Sequence, residues 1–94
     1  MAFRGTFKVK NLKSGDKVTV GVRHNNLGPA PSQPSGPAQY LIIDNVEYLL
    51  TKSGSTHKFF GEPSWNGFNN KTVDVEGVFV GGTIIVSSIT KVGN

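Results

Sequence analysis

Apolar and polar residues alternate along the first part of the chain with the period of a β-strand. Residues 3–10 place Phe3, Phe7 and Val9 on one side, with arginine and lysines on the other. Residues 17–24 repeat the alternation with three valines on the inner side. Both segments are therefore predicted to be strands, and the first has a basic outer face.

Two later segments are predicted to form β-hairpins. Residues 39–50 are apolar on both sides of Asp44-Asn45, a pair that tolerates the left-handed backbone of a tight turn. Residues 72–92 form a longer pair of strand-like runs about Gly81-Gly82. Apolar residues are dense in 78–86, so we expect this part of the second hairpin to be covered on both faces. These elements predict an all-β fold class, a small antiparallel barrel of five to six strands.

The segment 25–38 interrupts this pattern with four of the five prolines and several glycines and serines. Proline donates no backbone hydrogen bond, so a Pro/Gly/Ser-rich loop is predicted at 25–38. Loops of this length are either tolerated excursions or functional ones, and both interpretations stay open.

A second irregular segment, 51–71, contains four large aromatic residues: Phe59, Phe60, Trp65 and Phe68. Pro63 and a nearby glycine argue against a long helix, although one helical turn around 57–60 is compatible with the sequence. The rings are expected to plug an open end of the barrel, and the alternative is an exposed aromatic platform.

Composition and charge limit the classes of protein to consider. The length predicts one domain, 1–94, and the absence of cysteine excludes disulfides and thiolate metal sites. No apolar run reaches the length of a membrane span or a signal peptide, so a cytoplasmic protein is expected. The net charge of +4 is uneven, because 1–23 holds six basic residues and one acidic residue. That asymmetry indicates either contact with a polyanion or a soluble sheet edge.

Few residues offer catalytic or metal chemistry. His24 and His57 have no carboxylate neighbour at a recognised spacing, so no metal site and no cofactor is expected. Asp74 and Glu76 share a strand face, which alternating charge on a wet surface explains. We therefore expect a protein that is not an enzyme, and keep a catalytic role for His57 with Asp74 or Glu76 as the weakest hypothesis.

A binding module fits the residues better. Small barrels bind single-stranded nucleic acid by combining basic side chains with rings on which bases stack. The candidate ligand-binding residues are Lys8, Lys10, Arg23, Tyr40, Tyr48, Phe60 and Trp65. The leading hypothesis is a non-enzymatic module for single-stranded nucleic acid or another anionic ligand. The alternative is a structural module that forms a homo-oligomer through a strand edge or the 59–68 aromatic surface.

The order of these elements resembles that of oligonucleotide/oligosaccharide-binding (OB) folds. The resemblance rests on the strand from Val18, the hairpin about Asp44-Asn45, and the runs Val-Asp-Val-Glu-Gly-Val-Phe-Val and Ile-Ile-Val-Ser-Ser-Ile near the end. It implies a ligand face on the second and third strands, here 39–50, flanked by 25–38 and Gly81-Gly82. An SH3-like barrel and an open sandwich are the competing architectures.

Overall fold

The computed structural model describes residues 2–13, 16, 18–21, 36–54 and 62–93. These residues form five strands and one short 3-10 helix. Their bounds are β1 Ala2–Leu12, β2 Gly36–Ile43, β3 Val46–Lys52, the 3-10 helix Pro63–Phe68, β4 Thr72–Val80 and β5 Thr83–Lys91. No helix within these ranges has the length and apolar character needed to cross a membrane.

The strands close into a barrel in the order β1-β2-β3-β5-β4, which confirms the predicted all-β fold class. One neighbouring pair, β3 with β5, is parallel, whereas the sequence predicted an antiparallel barrel. The reason is geometric: strand direction cannot alternate all the way around a closed ring of five. The β4–β5 hairpin fills the gap between β1 and β3, and this places the parallel pair at β3–β5.

The predicted strand at 17–24 is not a strand in the part of it that the structure describes, so the barrel has five strands. Thr19 makes a single β-bridge, and Val18 and Val20 are buried. These valines pack with Ala38, Tyr40 and Leu49 into a small cluster separate from the main core. Tyr40 and Leu49 are cross-strand partners, and the next residue of each strand, Leu41 or Leu50, points into the barrel. Tyr40 and Leu49 therefore point outwards, and residues 18–20 cover the outer face of β2–β3.

Both predicted hairpin turns are confirmed. Asp44 and Asn45 have φ angles of 51° and 67° between β2 and β3. Gly81 and Gly82 have φ angles of 56° and 85° between β4 and β5. In each turn both central residues take positive φ, the geometry that matches the twist of the paired strands.

The predicted loop at 25–38 ends earlier than expected, because 36–38 belong to β2. Pro37 is the cross-strand partner of Asn11, which contradicts the argument that this segment cannot enter a ladder. Proline is tolerated near the start of a strand, where a missing donor removes few ladder hydrogen bonds. The rest of this loop lies outside the described residues.

One end of the barrel is closed by the 3-10 helix. Trp65 is 9% exposed and belongs to the main core, and the Phe68 ring meets the Phe7 ring edge to face at 5.9 Å. Phe7 also accepts a backbone hydrogen bond from Asn70 and donates one to Lys71. The plugging role is thus confirmed for Trp65 and Phe68, while Phe59, Phe60 and the helical turn at 57–60 lie outside the described residues.

The apolar end of the β4–β5 hairpin is exposed, which contradicts the expectation that 78–86 is covered on both faces. Val78 is 62% exposed, Val80 54% and Phe79 42%. The described part of β1 starts at Ala2, which faces Glu76, so residues 77–80 extend past it. Hydrophobicity along the strand did not distinguish a covered segment from a projecting one.

Candidate functional site

The end of the barrel opposite the 3-10 helix is an open apolar pocket, which we call the barrel mouth. It has a volume of about 290 Å³. Its walls are Phe3, Ile43, Tyr48, Phe79 and Ile84. This size lies at the lower limit of small-molecule pockets and accommodates one planar ring system rather than a large ligand.

The mouth is formed by inward-facing residues at the ends of several strands, which no element within the described ranges covers. Phe79 and Ile84 are cross-strand partners on the inner face of the hairpin. The Tyr48 ring meets the Phe79 ring edge to face at 5.7 Å, with 70° between their planes. The two rings form one wall of the pocket, next to the Gly81-Gly82 turn.

Gly21 holds the segment 18–21 against this wall. Its N–H donates to the Gly82 carbonyl at 3.1 Å. A Cβ atom at position 21 would lie 2.2 Å from the Tyr48 ring, so only glycine permits this approach. The segment 18–21 therefore supports the Tyr48 ring from outside and ties it to the β4–β5 turn.

The basic side chains on the outer face of β1 are paired with acceptors on β4, on β3 and in the turn before β4. The Arg4 guanidinium donates two hydrogen bonds to the Asp74 carboxylate, at 2.7 and 2.9 Å. Lys10 Nζ lies 2.6 Å from a Glu47 carboxylate oxygen, and Lys8 Nζ donates to the side chain of Asn70. The hydrogen bond from Arg4 holds the pKa of Asp74 below its ordinary value. Two of these three cations are thus neutralised locally, and Lys8 alone has an uncharged partner.

Tyr40 is buried, which removes it from the predicted set of stacking rings. It is 1% exposed, and Lys10 Nζ lies 4.9 Å from the ring centroid. Burial, helped by the nearby charge of Glu47, raises the pKa of Tyr40 to about 12, although a hydrogen bond from the Thr19 backbone opposes the rise. Trp65 is removed for the same reason, since its ring fills the plugged end.

Of the seven candidate ligand-binding residues, the structure leaves Tyr48 at the mouth and Lys8 and Lys10 on the outer face of β1. Arg23 and Phe60 lie outside the described residues. Sequence analysis missed Phe79, the most exposed ring at the mouth, although its position beside a Gly-Gly turn was a usable signal.

The described residues leave the catalytic hypothesis untested, because both histidines lie outside them. Within 2–13, 16, 18–21, 36–54 and 62–93, no group of three histidine, cysteine or acidic side chains is placed to hold a metal ion. Asp74, one member of the weakest catalytic hypothesis, is bonded to Arg4, and His24 and His57 lie outside the described residues.

Comparison of the chain with family models, with curated proteins and with solved structures finds no match.

Proposed function

We propose that this protein is a non-enzymatic binding module of the OB type, and that it binds single-stranded nucleic acid at the barrel mouth. The observation that carries the proposal is the pair of neighbouring rings, Tyr48 and Phe79, on the wall of an open apolar pocket. Every nucleobase has a flat π-face, so rings of this kind hold single strands without reading their sequence.

The architecture supports the OB assignment. An OB fold is a five-stranded Greek-key barrel that binds its ligand on strands two and three and on the loops after strands one and four. This barrel has five strands, and its 3-10 helix lies between β3 and β4, where OB folds usually have a helix. The loop after β4 is the Gly81-Gly82 turn, which borders the mouth.

The ligand surface proposed here is shifted from the face that the resemblance implies. Val18 and Val20 cover the outer side of β2–β3, so bases have no access to Tyr40 there. The inner side of the same strands opens at the mouth through Ile43 and Tyr48. A bound strand would place one base against Phe79 and Tyr48 and pass over the Gly81-Gly82 turn.

The pairing of the β1 cations sets the expected salt dependence. Single-strand binding weakens by roughly 0.7 log units per log unit of salt for each phosphate neutralised. Because Arg4 and Lys10 already have carboxylate partners, we expect only about one or two phosphates to be neutralised. The affinity should therefore fall gently with salt and depend chiefly on the rings.

Fluorescence anisotropy of a labelled oligothymidylate, titrated with the whole chain at low and moderate salt, tests the proposal. Phe79→Ala should weaken binding by roughly 5- to 100-fold, the effect of losing one stacked base. Ile85→Ala is the matched control, because Ile85 lies on the same hairpin but outside the mouth. Its affinity should equal that of the unmodified chain.

Three results would contradict the proposal. The first is no binding at roughly 100 μM protein in low salt, a concentration at the weak limit of non-specific binding. The second is equal affinity of the Phe79→Ala and unmodified chains. The third is a steep salt dependence, which would assign binding to cations rather than to the mouth.

A further inference from the structure

Among the residues that the structure describes, the end of β4 has a free backbone edge. β1 pairs with β4 from Thr6 opposite Thr72 to Ala2 opposite Glu76. Residues 77–80 continue beyond that point, paired with β5 on one side and with none of the described residues on the other. A free edge presents a row of donors and acceptors that is able to pair with another strand.

The direction of the backbone groups follows from two hydrogen bonds at the start of β4. The Thr72 carbonyl accepts from Val92, beyond β5, whereas the Lys71 carbonyl accepts from Phe7 in β1. Backbone groups alternate in direction along an antiparallel strand. The backbone N–H and C=O groups of odd-numbered β4 residues therefore point away from β5. Those of Gly77 and Phe79 face the free edge.

The side chains at this edge lack the protection that natural edge strands have. The segment 77–88 contains no charged residue and no proline. Edges that stay unpaired are usually guarded by lysine, proline or a bulge within the exposed part. Here the register shift lies between Glu76 and Gly77, before the exposed part begins. The outer face next to the edge is formed by Val78 and Val80, both more than half exposed.

We infer that the edge 77–80 pairs with the same edge of a second copy, forming an antiparallel dimer. A two-fold axis at Phe79 brings Val78 beside Val80 of the second copy and Phe79 beside its counterpart. The edge is thus complementary to itself, as a closed two-fold interface requires. An uncharged edge also gives an acidic or basic partner nothing to pair with, so an apolar, self-complementary partner fits best.

The area buried between the two copies determines how tightly the dimer should associate. From their exposed fractions, Val78 and Val80 offer roughly 200 Å² of apolar surface per copy at the edge, because the Phe79 ring faces the mouth and Ile85 lies on β5. Two copies would bury roughly 400 Å² of side chain plus the paired backbone, well below the ~1,200 Å² of stable interfaces. The dimer should therefore be weak, with a Kd on the order of 10–100 μM.

Salt separates this association from nucleic-acid binding, and the inference does not depend on the proposed function. Each copy has a net charge of +4, so two copies repel each other, and salt screens that repulsion. Dimerisation through the uncharged edge should strengthen as salt rises, whereas nucleic-acid binding should weaken.

Sedimentation equilibrium of the whole chain, from about 1 to about 500 μM, is the test, since this range brackets the expected Kd. Val78→Lys places a charge at the edge and should raise the dimer Kd at least tenfold. Ser88→Lys is the matched control: it adds the same charge to the same hairpin, on β5 opposite Glu76 and away from the edge. Its dimer Kd should stay within about twofold of the unmodified chain.

Amide hydrogen exchange identifies the edge independently of any variant. The N–H groups of Gly77 and Phe79 should become protected as concentration rises, while protection of Val78 stays constant. A monomer throughout the concentration range would overturn the inference. So would a Val78→Lys chain that is folded and dimerises like the unmodified chain, or protection that does not change at Gly77 and Phe79.

Discussion

Raising the pH from neutral to about 11 should destabilise this protein through Tyr40, because burial of the ring favours the uncharged phenol. The pKa of Tyr40 is raised to about 12 in the folded chain, from an ordinary value of 10.0 that the unfolded chain retains. The stabilisation is therefore fully present below pH 10 and is lost as the pH rises towards 12. The difference of about two pKa units contributes on the order of 3 kcal/mol to the free energy of unfolding.

About half of this amount should be lost by pH 11, where the unfolded phenol is largely ionised and the folded phenol is not. The expected loss relative to neutral pH is about 1.4 kcal/mol, a measurable share of the roughly 5–10 kcal/mol expected for a domain of this size. Urea unfolding followed by far-ultraviolet circular dichroism at pH 8 and pH 11 measures it. The matched variant is Tyr40→Phe, which keeps the ring and removes the titrating group.

Every other titrating group is present in both chains, so the difference between them isolates the Tyr40 phenol. The unmodified chain should therefore lose about 1.4 kcal/mol more than Tyr40→Phe between the two pH values. Equal losses, or a Tyr40 phenol that ionises near pH 10 by ultraviolet absorbance, would refute the argument. Such a result would mean that 18–20 do not cover the outer face of β2–β3, and it would return that face to consideration as a ligand surface.

Three further changes test the plug, the register shift and the outer ion pair. Trp65→Ala should destabilise the fold by about 3–5 kcal/mol, since the ring is 9% exposed in the core, and a urea midpoint that barely moves would contradict the plug. Gly77→Ala should lower the free energy of unfolding by about 1–3 kcal/mol, because its Cβ would lie 2.2 Å from the Ile85 carbonyl oxygen. Gly67→Ala is the control: no atom lies within 4 Å of its Cβ, so its urea midpoint should stay close to that of the unmodified chain. The carboxyl carbon of Asp74 should titrate below its ordinary pKa by NMR and return towards it in Arg4→Ala, and an unchanged midpoint would show that the pair does not form in solution.

The proposed nucleic-acid site and the proposed dimer use different parts of the same hairpin. Phe79 contributes its ring to the mouth and its backbone to the edge, while Val78 and Val80 belong to the edge alone. A two-fold axis near Phe79 would place the two mouths side by side, so one strand of nucleic acid could contact both copies. Binding to both mouths would then raise the apparent affinity without any new contact in either one.

The hairpins and the barrel class were predictable because they depend on local chemistry. Asp44-Asn45 and Gly81-Gly82 take positive φ with little strain, and alternation about them determines which side chains share a face. The prediction of a strand at 17–24 was wrong because it also depended on local alternation. Val18 and Val20 alternate like a strand because they are buried on one side, but the surface that buries them is the outside of β2–β3 rather than the barrel interior.

The candidate site was only partly predictable, because solvent exposure is decided by where strands end relative to one another. Tyr40 and Tyr48 have similar local sequences, yet 18–20 cover the first ring and the mouth exposes the second. The cations on β1 were identified correctly as an outer row, but Asp74 and Glu47 neutralise two of them from strands far away in sequence. Sequence alone therefore determined the turns, the alternation and the small β-barrel. Only the tertiary structure decided which rings and charges remain available, because long-range strand pairing sets which atoms meet solvent and which meet each other.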